Sequence, residues 1–220
     1  MIFMLGIKGA GMAALACMLH ELGEHVEGSD LEKHFFTEAR LHELGIPVHP
    51  FGTFPPDGAT IIMGNAFKDD FEDIVELKRR GTYTFYRYHE YLGALLNDYV
   101  GVAITGSHGK TTTTKMVTSM LQAHKPTAYL IGDGHGHLAT DSYYMAIEAD
   151  EYRRFFLAYH PKYAVITNVD YDHVDYYKDA LDYASAYEQF AHNVTGALFV
   201  YGDDPEVRKL NLSGTVYTYG

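Results

Sequence analysis

Short apolar runs closed by glycines alternate along this chain with stretches of helical spacing. Ile2 to Leu5 is unbroken apolar, and a glycine turn follows at Gly6, Gly9 and Gly11. Met12, Leu15, Ala16, Leu19 and Leu22 then fall on one helical face, with Gly23 as the stop. His25 to Gly28 reads as a second strand ending at Ser29 and Asp30. The same alternation predicts helix over 37–44 with Gly45 as cap, strand over 60–63, helix over 71–80 with Gly81 as cap, and strand over 83–86. A short helix at 89–96 leads to a boundary at Asn97 and Asp98. Beyond it the pattern gives strand 100–105, helix 111–123, strands 128–131, 144–148 and 164–168, helix 183–192 and strand 197–201. Strands alternating with helices at this spacing predict an α/β fold with parallel sheets. The halves read as a Rossmann-like domain over 1–98 and a phosphate-loop α/β domain from 99 to 220.

Composition narrows the classes. The chain has 220 residues, 47% of them hydrophobic, enough for packed cores. No apolar run is long enough for a membrane helix, and the N-terminus lacks the flanks of a signal peptide. A net charge of −12 argues against nucleic-acid binding, since no basic excess displaces phosphate counterions. A polyphosphate must therefore be held by local devices: backbone amides, one lysine, a metal. Cys17 is the single cysteine, so no intrachain disulfide forms and a reducing cytoplasm is expected. The thirteen histidines are scattered without metal-ligand spacing.

The strongest chemical signal is TGSHGKTTTT, Thr105 to Thr114, between a strand and a helix. Gly106, Ser107, His108 and Gly109 let backbone N–H groups turn around phosphate oxygens, and the helix start adds partial positive charge. Lys110 neutralises the outer phosphates, while the hydroxyl of Thr111, with Thr112 beside it, suits Mg²⁺. Ile104 stands where a full Walker pattern has glycine. Two acidic strand ends, Glu148, Asp150 and Glu151 in one and Asp170, Asp172, His173 and Asp175 in the other, are positioned to complete a metal site. Arg153 and Arg154 either reach a carboxylate or phosphate, or balance Glu151. The earlier loop, G-x-x-G-x-G over 6–11 with Asp30 ending the next strand, departs from the nicotinamide fingerprint G-x-G-x-x-G but suits a diphosphate.

GIKGAGM, EGSDL, TGSHGKTTTT, EADE and TNVDYDHVDYY together resemble the Mur ligases of peptidoglycan synthesis, in the order found there. The first loop and IEADEYRRFFLAYHP are most similar to the branch that adds L-alanine to UDP-N-acetylmuramate. The resemblance implies three domains in a whole enzyme, for UDP-sugar, ATP and amino acid, and the expectation that a chain stopping at Gly220 is catalytically incomplete. It implies that Gly9, Ala10, Gly11 and Met12 hold the UDP diphosphate and that Asp30 and Leu31 border the uridine. Asn65 contributes where Gly52-Thr53 departs from the Gly-His of many relatives; His135 is a second departure. It also implies that Lys110 binds phosphate, that Thr111 and Glu148 hold one Mg²⁺ and Glu148 and His173 a second, and that Asn168 and His108 line the nucleotide cleft.

The implied reaction is ATP-dependent ligation of L-alanine to UDP-N-acetylmuramate through an acyl phosphate, with Lys110, Glu148 and His173 as catalytic groups and ATP and Mg²⁺ as cofactors. A ligase that reattaches a recycled tripeptide to the same UDP-sugar, and a non-catalytic nucleotide or UDP-sugar binder, stand as alternatives. A dehydrogenase predicts NAD(P) binding at the first loop. The oligomeric state is open.

Overall fold

A computed structural model describes all of residues 1–220. Its chain forms two compact units, residues 1–91 with 130–140 and residues 92–129 with 141–220.

In the first unit, β1 (Ile2–Leu5), β2 (Val26–Asp30), β3 (Val48–Pro50), β4 (Thr60–Met63) and β5 (Thr84–Arg87) form a sheet in the order β3-β2-β1-β4-β5, every pairing parallel. The helices are α1 (Ala10–Glu21), α2 (Glu38–Glu43), α3 (Glu72–Arg80) and α4 (Tyr88–Leu96), the last running across the boundary between the units. Phe3, Leu5, Ile61, Met63, Ile74 and Leu77 make one core layer between β1, β4 and α3. The chain order reverses beside β1, and ligands of open α/β sheets bind at the carboxyl ends of strands at such a point.

The helix after β1 was predicted to bury one face. Instead, Met12 through Leu19 is buried all the way round. The second contact comes from the segment 130–140, where Gly136 approaches so closely that a Cβ there would lie 2.6 Å from the Ala14 carbonyl oxygen. Glu21 holds that segment, accepting from the Leu138 amide at 3.0 Å and meeting His137 Nδ1 at 2.8 Å. Cys17 is enclosed in this packing, and burial pushes its thiol pKa up to about 11.

The second sheet contains β6 (Val100–Thr105), β7 (Thr127–Leu130), β8 (Gly136–His137), β9 (Tyr144–Glu148), β10 (Tyr163–Ile166), β11 (Ala197–Tyr201) and β12 (Thr215–Tyr219), ordered β12-β11-β10-β6-β9-β7-β8. The pairings of β6 with β9 and β10, and of β11 with β10 and β12, are parallel. Helices α5 (Lys110–Gln122) and α6 (Ala180–Asn193) follow β6 and β10, and 3-10 turns occupy 152–158 and 207–209. The helix predicted over 183–192 begins three residues earlier, because Asp179 caps it by accepting from the Asp182 amide at 2.8 Å. The strands β3, β8 and β12 were not predicted. Two are too short for a periodic pattern, and β12 lies at the sheet edge with mostly exposed side chains.

Candidate functional site

In the first unit, β1 delivers the chain into a left-handed turn at Gly6, with φ of +82°. A Cβ at Gly6 would meet the Phe67 ring at 2.3 Å, so only glycine fits. Helix α1 starts just after Gly9, whose backbone caps it without any side-chain acceptor. The first-turn amides of a helix lack intrahelical partners and suit an anion. Gly9, Ala10, Gly11, Met12, Asp30, Leu31 and Asn65 all line one cavity of about 370 Å³, together with Phe35, Phe67 and Tyr88. The seven residues thus come from three parts of the chain to one wall.

Asp30 is inward and nearly covered. Its two carboxylate oxygens accept from the Lys8 amide at 2.8 Å and the Leu31 amide at 2.7 Å. That fixes the turn between β1 and the loop after β2. Lys8, buried against the same loop, donates to the carbonyls of Leu31 at 2.7 Å and Lys33 at 3.0 Å and pairs with Glu38. The Lys8 ammonium is thereby directed into the loop, an arrangement the sequence reading did not find. Asn65 Oδ1 lies 2.8 Å from His89 Nδ1, and burial lowers the pKa of that imidazole. Gly52 presents its amide to Asp73 at 2.9 Å, and His135 pairs with Asp133 at 2.9 Å.

The second unit places the loop 106–109 between β6 and α5. Gly106 has φ of +134°, and a Cβ there would strike Thr167 Oγ1 at 2.1 Å. Gly109 is left-handed, with φ of +81°, and caps α5. Lys110, Thr111 and Thr112 form the first turn of α5, where the amides are again without helical partners. The loop is braced from β10. Asn168 Oδ1 accepts from the His108 amide at 2.9 Å and Asn168 Nδ2 donates to the His108 carbonyl at 2.9 Å. Asn168 therefore shapes the loop backbone, while the His108 ring stays exposed, 3.8 Å from Asp170. Ser107 Oγ donates to the Asp170 carbonyl at 2.7 Å and lies 2.8 Å from the Tyr183 hydroxyl.

Three strand ends converge on this loop. Thr111 Oγ1 donates to Glu148 at 3.0 and 3.2 Å, and Glu148 ends β9 beside β6. Lys110 Nζ donates to the Gly106 carbonyl at 2.7 Å and to Glu151 at 2.9 and 3.1 Å. His173, left-handed at φ +55°, brings Nε2 to 3.3 Å from Glu151 Oε1. The donor atoms of Asp150, Glu151 and His173 lie within 4.8 Å of one another, which gives one group able to hold a cation. Burial raises the pKa of Asp150. The structure thus places Thr111 with Glu148, and His173 with Glu151 and Asp150. Carboxylates, a hydroxyl and an imidazole make a donor set compatible with a hard divalent ion that also takes phosphate oxygens.

Of the two roles open to Arg153 and Arg154, reaching a carboxylate or balancing Glu151, Arg154 takes the first. Arg154 turns away and binds Asp182 Oδ1 at 2.6 Å, so Lys110 is the cation that balances the buried Glu151. Sequence reasoning also missed the tyrosines behind the site. Tyr177 donates to the Glu151 carbonyl, and Tyr183 contacts Glu151 Oε1 at 3.3 Å and Tyr187 at 3.0 Å. Burial raises the pKa of all three phenols. Tyr183 and Tyr187 are four apart on α6, and that spacing was legible as one helical face, though not which carboxylate it meets.

Comparison with known proteins adds to this geometry. A family model described as the Mur ligase family catalytic domain matches residues 1–100, and one described as the Mur ligase middle domain matches residues 104–220. A UDP-N-acetylmuramate–L-alanine ligase of Lactiplantibacillus plantarum is 46% identical over 219 residues, 99% of this chain and 50% of the relative. One of Streptococcus pneumoniae is 43% identical over 217 residues, 98% of this chain and 49% of the relative. The chain spans about half the length of the curated relatives it matches. Among solved structures, a UDP-N-acetylmuramate-alanine ligase of Thermotoga maritima superposes with a TM-score of 0.82 at 27% identity, covering 99% of this chain and 52% of the other. A UDP-N-acetylmuramate:L-alanyl-gamma-D-glutamyl-meso-diaminopimelate ligase of Neisseria meningitides gives 0.87 at 25% identity, covering 100% and 77%.

Proposed function

Because this chain belongs to the Mur ligase family, we propose that it supplies the UDP-sugar and ATP-phosphate sites of an enzyme that joins L-alanine to UDP-N-acetylmuramate. The working division is residues 1–98 for the UDP-sugar and 99–220 for ATP, with 130–140 grouped with the first unit by its contacts. The single observation that carries the reading is the bond from Thr111 Oγ1 to Glu148 at 3.0 Å. It joins the helix start of a phosphate loop to a carboxylate at a neighbouring strand end, a pairing of oxygen donors that would suit Mg²⁺.

In this reading the amides of residues 106–112 and Lys110 hold the ATP phosphates, with His108 and Asn168 at the rim. Thr111 and Glu148 are the residues that would hold one Mg²⁺, and Glu148 with His173, which stands beside Glu151, would hold a second. Bound there, the ion supplies positive charge that offsets the negative charge of phosphoryl transfer. The amides of Gly9, Ala10, Gly11 and Met12 take the UDP diphosphate, and Asp30, Leu31 and Asn65 border the nucleoside. A carboxylate is a poor acylating agent, and ATP makes it one by converting it to an acyl phosphate that an amine can attack. The chain contributes positioning and charge neutralisation to that step. The 43–46% identity to alanine ligases favours alanine as the incoming amine over a recycled tripeptide.

Calorimetric titration of the 220-residue protein with Mg·ATP and, separately, with UDP-N-acetylmuramate tests the proposal. Both are expected to bind, with Lys110→Met weakening Mg·ATP by about tenfold or more and leaving the UDP-sugar unaffected. A chain that binds neither ligand, or that binds NAD(P) at the first loop in place of the UDP-sugar, would overturn it.

A further inference from the structure

Lys110 is the only lysine or arginine between residues 105 and 112, yet its charge is already balanced inside the protein. Its three N–H donors are accounted for by the Gly106 carbonyl at 2.7 Å and the two oxygens of Glu151 at 2.9 and 3.1 Å. Glu151 is fully buried, so water does not dilute its field, and it is held from several sides. His173 Nε2 and the Tyr183 hydroxyl each stand 3.3 Å from Oε1, and Tyr177 fixes the Glu151 carbonyl. Tyr183 also lies 2.8 Å from Ser107 Oγ, which ties the carboxylate to the loop itself. Glu148 adds a further acid at Thr111, and Asp150 another beside Glu151.

We propose that Glu151 is the internal counter-ion of Lys110 and makes capture of a polyphosphate at this loop conditional on a divalent cation. The inference rests on reading residues 105–112 as a phosphate loop. A bare polyphosphate entering the loop meets backbone amides and a lysine whose charge is cancelled, with carboxylates close by. A divalent cation brings the missing positive charge with the ligand. Glu151 is thus a positioning residue that acts through Lys110 and suppresses binding of metal-free polyphosphate, including inorganic pyrophosphate. Glutamine at 151 keeps the volume and an acceptor for Lys110 while leaving the ammonium uncompensated.

The test titrates the 220-residue protein with pyrophosphate in EDTA and again in excess Mg²⁺. Wild type is expected to bind at least about tenfold more tightly with Mg²⁺. In Glu151→Gln the metal-free affinity rises about tenfold, so the gap between the two conditions closes. Glu151→Asp keeps the charge and retains the wild-type gap, whereas a purely structural role would weaken both conditions alike in either variant. Metal-free binding by a folded Glu151→Gln that is no tighter than wild type overturns the inference. If that variant fails to fold, equal wild-type affinity with and without Mg²⁺ overturns it, as does loss of the gap in Glu151→Asp. Absence of wild-type binding even with Mg²⁺ would instead remove the phosphate-loop reading beneath it.

Discussion

At residue scale, the two candidate sites depend on positions where a side chain has no room. Gly106 combines a backbone conformation that other residues avoid with a neighbour 2.1 Å from where a Cβ would stand. Gly106→Ala is therefore expected to lower unfolding stability by about 3 kcal/mol and to abolish polyphosphate binding. Urea unfolding and a pyrophosphate titration check both; an unchanged midpoint would mean that the loop relaxes without strain. Gly11 meets a softer limit, because its hypothetical Cβ faces the Tyr88 hydroxyl at 2.6 Å, the tip of a side chain. The glycines of both loops were legible as motifs. That Gly106 abuts Thr167 and Asn168, far along the chain, was not, since no local pattern encodes which strand follows alongside.

At the scale of elements, the helices that matter most are those starting at the two glycine loops. Helices α1 and α5 both begin at a glycine with no side-chain cap, leaving first-turn amides for a ligand. Helix α6 does the opposite. Asp179 caps it through the Asp182 amide, and Asp182 then holds Arg154. Asp179→Ala is expected to cost about 1 kcal/mol, read as a lower urea midpoint. Because α6 carries Tyr183 and Tyr187 to Glu151, fraying is also expected to weaken polyphosphate binding modestly; a full cap effect with unchanged binding would separate α6 from the loop. Helix α3 ends on Gly81 in the left-handed conformation, as the sequence predicted, and its Glu76 serves Arg79 and Arg80 from one carboxylate.

For the molecule as a whole, acid stability follows from carboxylates paired in the folded state. The hydrogen bond from Lys8, reinforced by the Phe35 backbone and His34, lowers the Glu38 pKa to about 2. Bonds from Arg79 and Arg80 lower that of Glu76 to about 2. An unfolded glutamate titrates near about 4.3. The stabilisation these groups give is thus complete above that value, falls as the pH drops toward 2, and is gone below it. Glu38→Gln is expected to be less stable than wild type at pH 7, with the difference shrinking between about pH 4.3 and 2. Urea midpoints across that range measure it, and a difference constant with pH would assign the effect of Glu38 to packing.

Sequence alone determined the strand–loop–helix frame and the two glycine loops, because periodicity, glycine stops and motif spacing are local properties of the chain. It also brought out the family, since the ordered motifs are specific in combination. It could not show that α1 is buried on both faces, because that depends on Gly136, distant in sequence, packing against Ala14. Nor could it rank the acids. Glu148, Asp150 and Glu151 stand in one tetrapeptide; the resemblance paired Thr111 with Glu148, but only the fold gives Lys110 to Glu151 while sending Arg154 to Asp182. Charge pairing is decided by which strand ends lie side by side and which groups are shut away from water, and both are properties of the folded chain.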